Sequence, residues 1–326
     1  MKAIAVHQLD GKPVLKLEEV ADVTYSPDEV LVDIKASAVN RADLMQARGG
    51  YPPPPGASDI LGLEMAGVVS AVGDSVTDVQ VGDRVAALLA GGGYAEQIAI
   101  HPKMLFKLPD DWSFAMGAAV PEVWLTAFVN LFLEGGLQSG ETVLIHAGGS
   151  GVGTAAIQLA REAGAKPMIT AGTEAKLVRG RELGATLAIN YKEADFVAEV
   201  KQATGNLGVN LVLDPVGASY FEKNINVLAR HGRMVNIGLL GGAVATANIA
   251  PILIKNLMIK GSTLRARPLA EKIEITTGFI DRFWHLFQNG TLQPIIDTTF
   301  PLAEAQQAHE YIAADKNIGK VILEVG

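Results

Sequence analysis

The chain has 326 residues, 49% hydrophobic and 19% charged, an ordinary globular composition and enough length for two domains. A net charge of -8 argues against a nucleic-acid partner, which calls for a basic face. With no cysteine, disulfides and thiolate metal sites are excluded, and a reducing cytoplasm is the expected compartment. No window is expected to reach the roughly 18 to 20 apolar residues of a membrane span. The opening MKAIAVHQLDGKP lacks the apolar core and cleavage site of a secretory signal.

Residues 1 to about 120 read as short strands, at 2–8, 14–20, 29–39, 65–73, 81–89 and 94–100. Alternating apolar residues separated by glycine and proline clusters predict a β-rich, barrel-like domain. A loop, 49-GGYPPPPGASD-59, interrupts it, and four successive prolines make that loop stiff. From 122 the rhythm becomes strand–helix alternation. Strands at 142–147, 166–170, 187–190, 209–214 and 232–238 alternate with helices from Gly151 to Ala163, through Leu183, at 194–205 and up to Leu228, before a last strand at 257–264. That pattern predicts an α/β fold with a doubly wound parallel sheet. A helix at 302–315 and a strand at 319–325 return to the first domain. The expected domains are therefore 1–121 with 300–326, and 122–299.

The stretch 144-LIHAGGSGVGTAAIQLAR-161 puts a glycine turn between a buried strand and a helix. Such a turn lets backbone approach a pyrophosphate, which the helix N-terminus stabilises. Gly149, Ser150, Gly151 and Val152 are the candidate contacts, and Ser150 replaces the central glycine of G-x-G-x-x-G. About 20 residues on, a carboxylate would bind the adenosine ribose of NAD. Gly172 stands there instead, followed by Thr173 and Lys176, with Tyr191 ending the next strand. A missing acid beside a lysine favours NADPH, with Glu174 directed either outward or towards the ribose. His146, without a paired acid or cysteine, reads as a packed strand-end histidine.

These elements, with GDRVAAL and IHAGGSGVGTAAIQLAR, resemble the medium-chain dehydrogenase/reductase superfamily over essentially the whole chain. Where zinc alcohol dehydrogenases of that superfamily place a cysteine and a histidine, this chain has Asn40 and Leu63, and only Glu64 of the Gly-His-Glu pattern remains. One acid without thiols does not make a tetrahedral zinc site, so no metal is expected. NRADLMQARGGYPPPPGASDILGLE and the ending 311-YIAADKNIGKVIL-323 are similar to the zinc-independent quinone oxidoreductases, above all the tumour-suppressor-inducible type.

The resemblance implies a β-rich GroES-like catalytic domain with a Rossmann NADPH-binding domain, and hydride transfer from NADPH to a small-molecule quinone in the cleft between them. It also implies a homodimer paired through an edge strand near 257-LMIKGSTL-264. Hydride transfer asks little of the protein beyond orientation and water exclusion, because the cofactor carries the chemistry. Asn40 and Tyr51 are the candidate groups facing the acceptor. Their alternatives are a cap for a helix from Arg41 and a loop aromatic stacked on prolines. Thr126 matches the family's threonine near the nicotinamide, with a self-bonded helix threonine as the alternative. Gly238, Leu239, Leu264 and Asn317 are the remaining expected cofactor contacts, while Arg265 and Lys320 read equally as solvated or structural charges. Reduction of the C=C bond of an enone, alkenal or enoyl thioester is the rival activity, and a cofactor-binding sensor with little turnover is the rival of another class.

Overall fold

A computed structural model describes residues 1–326. The first stretch contains β1 (Lys2–Leu9), β2 (Lys12–Glu19), β3 (Val30–Val39), α1 (Arg41–Ala47), β4 (Glu64–Val72), β5 (Arg84–Leu88), β6 (Gln97–Ile100), β7 (Leu105–Lys107), α2 (Phe114–Ala118) and α3 (Pro121–Phe128). The alternating part follows as β8 (Thr142–Ile145), α4 (Gly151–Glu162), β9 (Lys166–Ala171), α5 (Glu174–Glu182), β10 (Leu187–Asn190), α6 (Phe196–Ala203), β11 (Val209–Asp214), α7 (Phe221–Val227), β12 (Leu228–Asn236), α8 (Ala250–Lys255) and β13 (Met258–Gly261). The chain ends with α9 (Leu269–Phe279), α10 (His285–Gln288), β14 (Ile296–Pro301), α11 (Ala305–Ala313) and β15 (Lys320–Glu324).

Contacts divide the chain into Met1–Leu125 with Leu264–Gly326, and Thr126–Thr263. In the first unit, a seven-stranded sheet runs β14-β15-β3-β4-β5-β7, with β6 also paired to β3. β3 alternates buried Val30, Val32 and Ile34 with less buried neighbours, then stays buried to its end. β15 lies antiparallel on β3, Val321 opposite Val39, which delivers Lys320 to the end of the central strand. The returning strand is thus a structural member of the first unit.

Residues 264–299 were expected with the nucleotide-binding part, but they group with the first unit. Aromatic packing is the reason. Trp284 lies 5.2 Å from Phe106 and 5.6 Å from Trp112, and Phe287 lies 4.6 Å from Trp124. Such ring pairs add to the large apolar area that each aromatic buries, and no periodicity in the sequence announces them. A second difference concerns membrane-like segments. The run Phe114–Leu133 is long and apolar enough to cross a membrane, contrary to the expectation above. It is 78% buried here, so its hydrophobicity serves the protein core. Its last turn, Val129–Leu133, widens into a π-helix.

In the second unit, six parallel strands run in the order β10-β9-β8-β11-β12-β13. This is the doubly wound Rossmann order, in which the direction of winding, not of the strands, reverses between the neighbours β8 and β11. Ligands of such sheets bind beyond the carboxyl ends of the strands at that switch point. The loop after β8, residues 146–150, lies there.

A buried polar cluster within the first unit generates a pH prediction. The Tyr94 hydroxyl donates to Asp43 Oδ2 (3.2 Å) and meets His309 Nε2 (3.2 Å). Burial lowers the His309 pKa to about 4, with Arg48 adding to the effect. Burial raises Asp43 to about 6 against two backbone hydrogen bonds. Neutral His309 therefore contributes stability above its unfolded pKa, which is lost as pH falls towards 4. Asp43 acts oppositely: its contribution is present in acid and lost as pH rises through about 6. The two slopes offset each other in the wild type. Removing the histidine in His309→Phe should shift stability in the variant's favour by about 3 kcal/mol between pH 7 and pH 4. Urea unfolding across that range tests it, and a pH-independent difference between the two proteins would sink the account.

Candidate functional site

The glycine turn is shaped by contacts that leave no room for side chains. Ala147 has φ of 53°, which reverses the chain directly after β8. At Gly153 a Cβ would lie 2.4 Å from the Ala147 carbonyl oxygen and 2.7 Å from Gly148 Cα, so only glycine lets α4 pack this tightly on the turn. Ser150 caps α4, its Oγ accepting from the Gly153 N–H at 3.0 Å. Gly151 and Val152 supply first-turn N–H groups of the kind that no helix satisfies internally. Positive potential at such a terminus suits a phosphate. His146 is buried just before the turn, with Nδ1 2.8 Å from Thr170 Oγ1 and Nε2 2.7 Å from Asn224 Oδ1. Both ring nitrogens are engaged, as expected of a packed histidine.

The ribose-end residues come together at the end of β9. A Cβ on Gly172 would lie 2.7 Å from the Tyr191 hydroxyl and 3.1 Å from Lys192 Cε. A Cβ on Gly149 would lie 2.6 Å from Lys176 Cγ, so the lysine stem covers the glycine turn. Thr173 caps α5 by accepting from Lys176 N at 3.4 Å. Glu174 binds the Arg181 guanidinium and is largely exposed, which resolves its direction as outward. Lys192 was missed by the sequence reading, although 190-NYK-192 places it next to Tyr191. Tyr191 and Lys192 thus lie against Gly172, and the Lys176 stem lies against Gly149.

Thr126 offers a second test of fit. Its Oγ1 is buried without a hydrogen-bond partner, so it is not the self-bonded helix threonine of the alternative reading. Its carbonyl accepts from Asn130 Nδ2 at 2.7 Å. A buried hydroxyl left unpaired is costly, and a bound amide would satisfy it. Gly238 packs on Pro215, where a Cβ would meet the carbonyl oxygen at 2.8 Å, while Leu239 is exposed. Leu264 is buried in the first unit. The Asn317 amide is used within its own turn, donating to the Gly319 carbonyl at 2.7 Å.

The positions aligned with zinc ligands hold a different device. Asn40 precedes α1 and is buried, its backbone N–H donating to Asp43 Oδ2 at 2.7 Å. Its Nδ2 donates to Glu64 Oε1 at 2.9 Å, and its Oδ1 accepts from Lys320 Nζ at 2.7 Å. Lys320 Nζ also donates to Glu64 Oε1 at 2.6 Å, while Glu64 Oε2 accepts from Glu122 N at 2.8 Å. Leu63 is buried and apolar. An ammonium thus neutralises the one acid that remains. Asn40 opens α1, as in its alternative reading, and its side chain is engaged by Glu64 and Lys320. Lys320 is a structural charge, not a solvated one. Tyr51 is half-buried, with the Arg265 guanidinium 5.2 Å from its ring centroid. Burial raises its phenol pKa, and the Arg265 charge opposes that rise. A cation, not foreseen in either reading, lies over its ring.

Residues 26–110 match the alcohol dehydrogenase GroES-like domain family, and residues 151–280 match the zinc-binding dehydrogenase family. The quinone oxidoreductase of Sus scrofa is 31% identical over 333 residues, covering 99% of this chain and 97% of that protein. Among solved structures, Escherichia coli quinone oxidoreductase complexed with NADPH is 32% identical with a TM-score of 0.88, covering 99% of this chain and 100% of its own. An NAD-dependent alcohol dehydrogenase is 31% identical with the same TM-score of 0.88, covering 100% of both chains. The CurK enoyl reductase is 27% identical with a TM-score of 0.85, covering 100% of this chain and 99% of its own. The chain belongs to the medium-chain dehydrogenase/reductase superfamily, as an oxidoreductase homologous to the quinone oxidoreductases.

The buried charge pair generates the next prediction. Lys320 and Glu64 side chains are 3% and 0% exposed, so removing one partner strands the other in the core. Lys320→Met should destabilise the protein by roughly 3–5 kcal/mol. Adding Glu64→Gln should recover at least half of that loss, because no buried charge then remains unpaired. Urea midpoints of the single and double variants measure both numbers. A double variant no more stable than Lys320→Met would refute the pairing argument.

Proposed function

We propose that this chain is an NADPH-dependent quinone reductase that works without zinc. The observation that carries the cofactor choice is that Tyr191 and Lys192 lie against Gly172, where the sequence has no carboxylate, while the stem of Lys176 lies against Gly149 of the glycine turn. NADPH, when bound, supplies the hydride. Gly149, Ser150, Gly151 and Val152 hold the pyrophosphate, Gly172, Thr173, Lys176 and Tyr191 the 2′-phosphate, and Thr126 the nicotinamide amide. Gly238, Leu239, Leu264 and Asn317 complete the expected cofactor contacts.

The quinone reading rests on homology to quinone oxidoreductases and on the chemistry at the positions that match zinc ligands. Asn40 and Glu64 there bind a lysine ammonium, so the chain's own charges already satisfy one another. Reduction of a quinone asks for orientation of the acceptor and for a hydrogen bond to its oxygen, which Tyr51 provides in this reading. Reduction of an enone on the same scaffold is the second reading, supported by likeness to the CurK enoyl reductase.

The test is a steady-state panel of ortho- and para-quinones against enones, with both cofactors, on wild type and Lys176→Ala. Quinones should be turned over faster than enones, and the reverse order would transfer the assignment to the second reading. A charge-assisted hydrogen bond is worth about 1.5–3 kcal/mol. Lys176→Ala should therefore weaken NADPH binding by roughly 10- to 100-fold, at about 1.4 kcal/mol per tenfold. NADH binding should barely change, since it lacks the phosphate. Equal losses for both cofactors would remove the support for NADPH.

We also propose a homodimer formed through β13. This strand is the edge of the six-stranded sheet, with Met258 62% and Ile259 38% exposed. Lysine on an edge normally discourages pairing, but Lys260 is held by Glu134. Light scattering at micromolar concentration should give twice 34.3 kDa. A mass of one chain would exclude the dimer.

A further inference from the structure

The proline loop is held at one end by a buried cation and at the other by a glutamine that the same cation binds. Arg265 is 5% exposed and donates through Nε to the Ala90 carbonyl at 2.8 Å. Through Nη1 it donates to the Tyr51 carbonyl at 3.1 Å, and through Nη2 to Gln46 Oε1 at 2.6 Å. Its guanidinium also lies over the Tyr51 ring, 5.2 Å from the centroid. Gln46, on the last turn of α1, passes the restraint on, its Nε2 donating to the Asp59 carbonyl at 3.0 Å. Tyr51 and Asp59 bracket the run of prolines between them.

The floor under the loop explains the neighbouring glycine run, 91-GGG-93. A Cβ on Gly91 would lie 2.3 Å from the Ser58 carbonyl oxygen, and the Gly92 N–H donates to the Ile60 carbonyl at 2.8 Å. Backbone thus approaches backbone at the loop's far end. The bond from Arg265 to Ala90 ties that floor to the same guanidinium. A planar fork with several fixed donors suits this task, and an ammonium on a flexible stem does not.

We propose that Arg265 is the positioning residue of the 51–59 loop: with Gln46 as a relay it clamps both ends and fixes the Tyr51 ring. The proposal deepens the acceptor-site reading of Tyr51, and only its kinetic consequence rests on that reading. Proline stiffness keeps the middle of the loop extended, so restraining the two ends is enough to set the whole segment. The cation over the ring face then sets the ring orientation by an attraction that is strongest when desolvated.

The experiment compares Gln46→Ala, Arg265→Lys and the double variant by hydrogen exchange of the full-length protein, followed at the amides of Tyr51 and of residues 56–60. Each single change should speed exchange there by about tenfold, an opening easier by about one factor of ten in equilibrium. The double variant should be no faster than the quicker single, because both act through one clamp. Exchange in the β3 and β4 core should not change, which separates a positioning role from general loss of stability. Should Arg265→Lys fold poorly, Gln46→Ala carries the test alone. Unchanged loop exchange in Gln46→Ala, or acceleration spread across the core, overturns the proposal. The kinetic arm uses a para-quinone: KM should rise about tenfold with NADPH affinity unchanged, and the rise should vanish in a Tyr51→Ala background. Faster loop exchange with unaltered quinone kinetics keeps the clamp and overturns the acceptor-site role of Tyr51.

Discussion

A lysine ammonium buried against a glutamate organises the GroES-like unit. Lys320 reaches Glu64, Asn40 and the Val39 carbonyl, so one cation joins β15 to the ends of β3 and the start of β4. Glu64 extends the network to the first turn of α3 by accepting from Glu122 N. Two charges in a core are tolerated only when their hydrogen bonds are complete. Completing them requires the C-terminal strand to return to this place. Asn40 and Glu64 thus form, with Lys320, a joint in which the two opposite charges are paired.

Close backbone approach, set by glycine, is the second constraint, and it recurs at each candidate binding element. Gly153 brings α4 onto the turn after β8, and Gly149 lies under the stem of Lys176. Gly172 leaves room for the Tyr191 hydroxyl and Lys192, and Gly91 lets the 58–60 segment lie on its floor. Each glycine marks a space that another group uses. The glycine turn after β8 and the proline loop rest on the same physical device, the absence of a Cβ. The buried Thr126 hydroxyl is of another kind, a polar group with no hydrogen-bond partner within the protein.

Much of the architecture was legible because it is periodic. Apolar strands alternating with helices placed β8 to β13, and the glycine turn after β8 was readable from strand, turn and helix in succession. The proximity of Gly172 and Tyr191, at the ends of neighbouring strands, was legible from the strand–helix alternation, whereas the packing of Lys176 on Gly149 was not. Residues 264–299 were misplaced because their affiliation depends on Trp284 and Phe287 finding Trp112 and Trp124. Such contacts join aromatics far apart in the chain and leave no local signature. The apolar run 114–133 was overlooked as a single segment because Gly117 and Pro121 break it into shorter pieces.

By itself the sequence determined the element types, the parallel winding of the second unit, the lack of thiolate chemistry and the identity of Asn40 and Leu63 where zinc enzymes of the superfamily carry ligands. These follow from residue identity and short-range spacing, which no folding event alters. Only the tertiary structure decided that Lys320 neutralises Glu64, that Arg265 and Gln46 hold the proline loop, and that Tyr94 joins Asp43 to His309. Each of those depends on side chains tens to hundreds of positions apart meeting out of water. Burial then makes a charge that looks dispensable in the sequence one that must be paired.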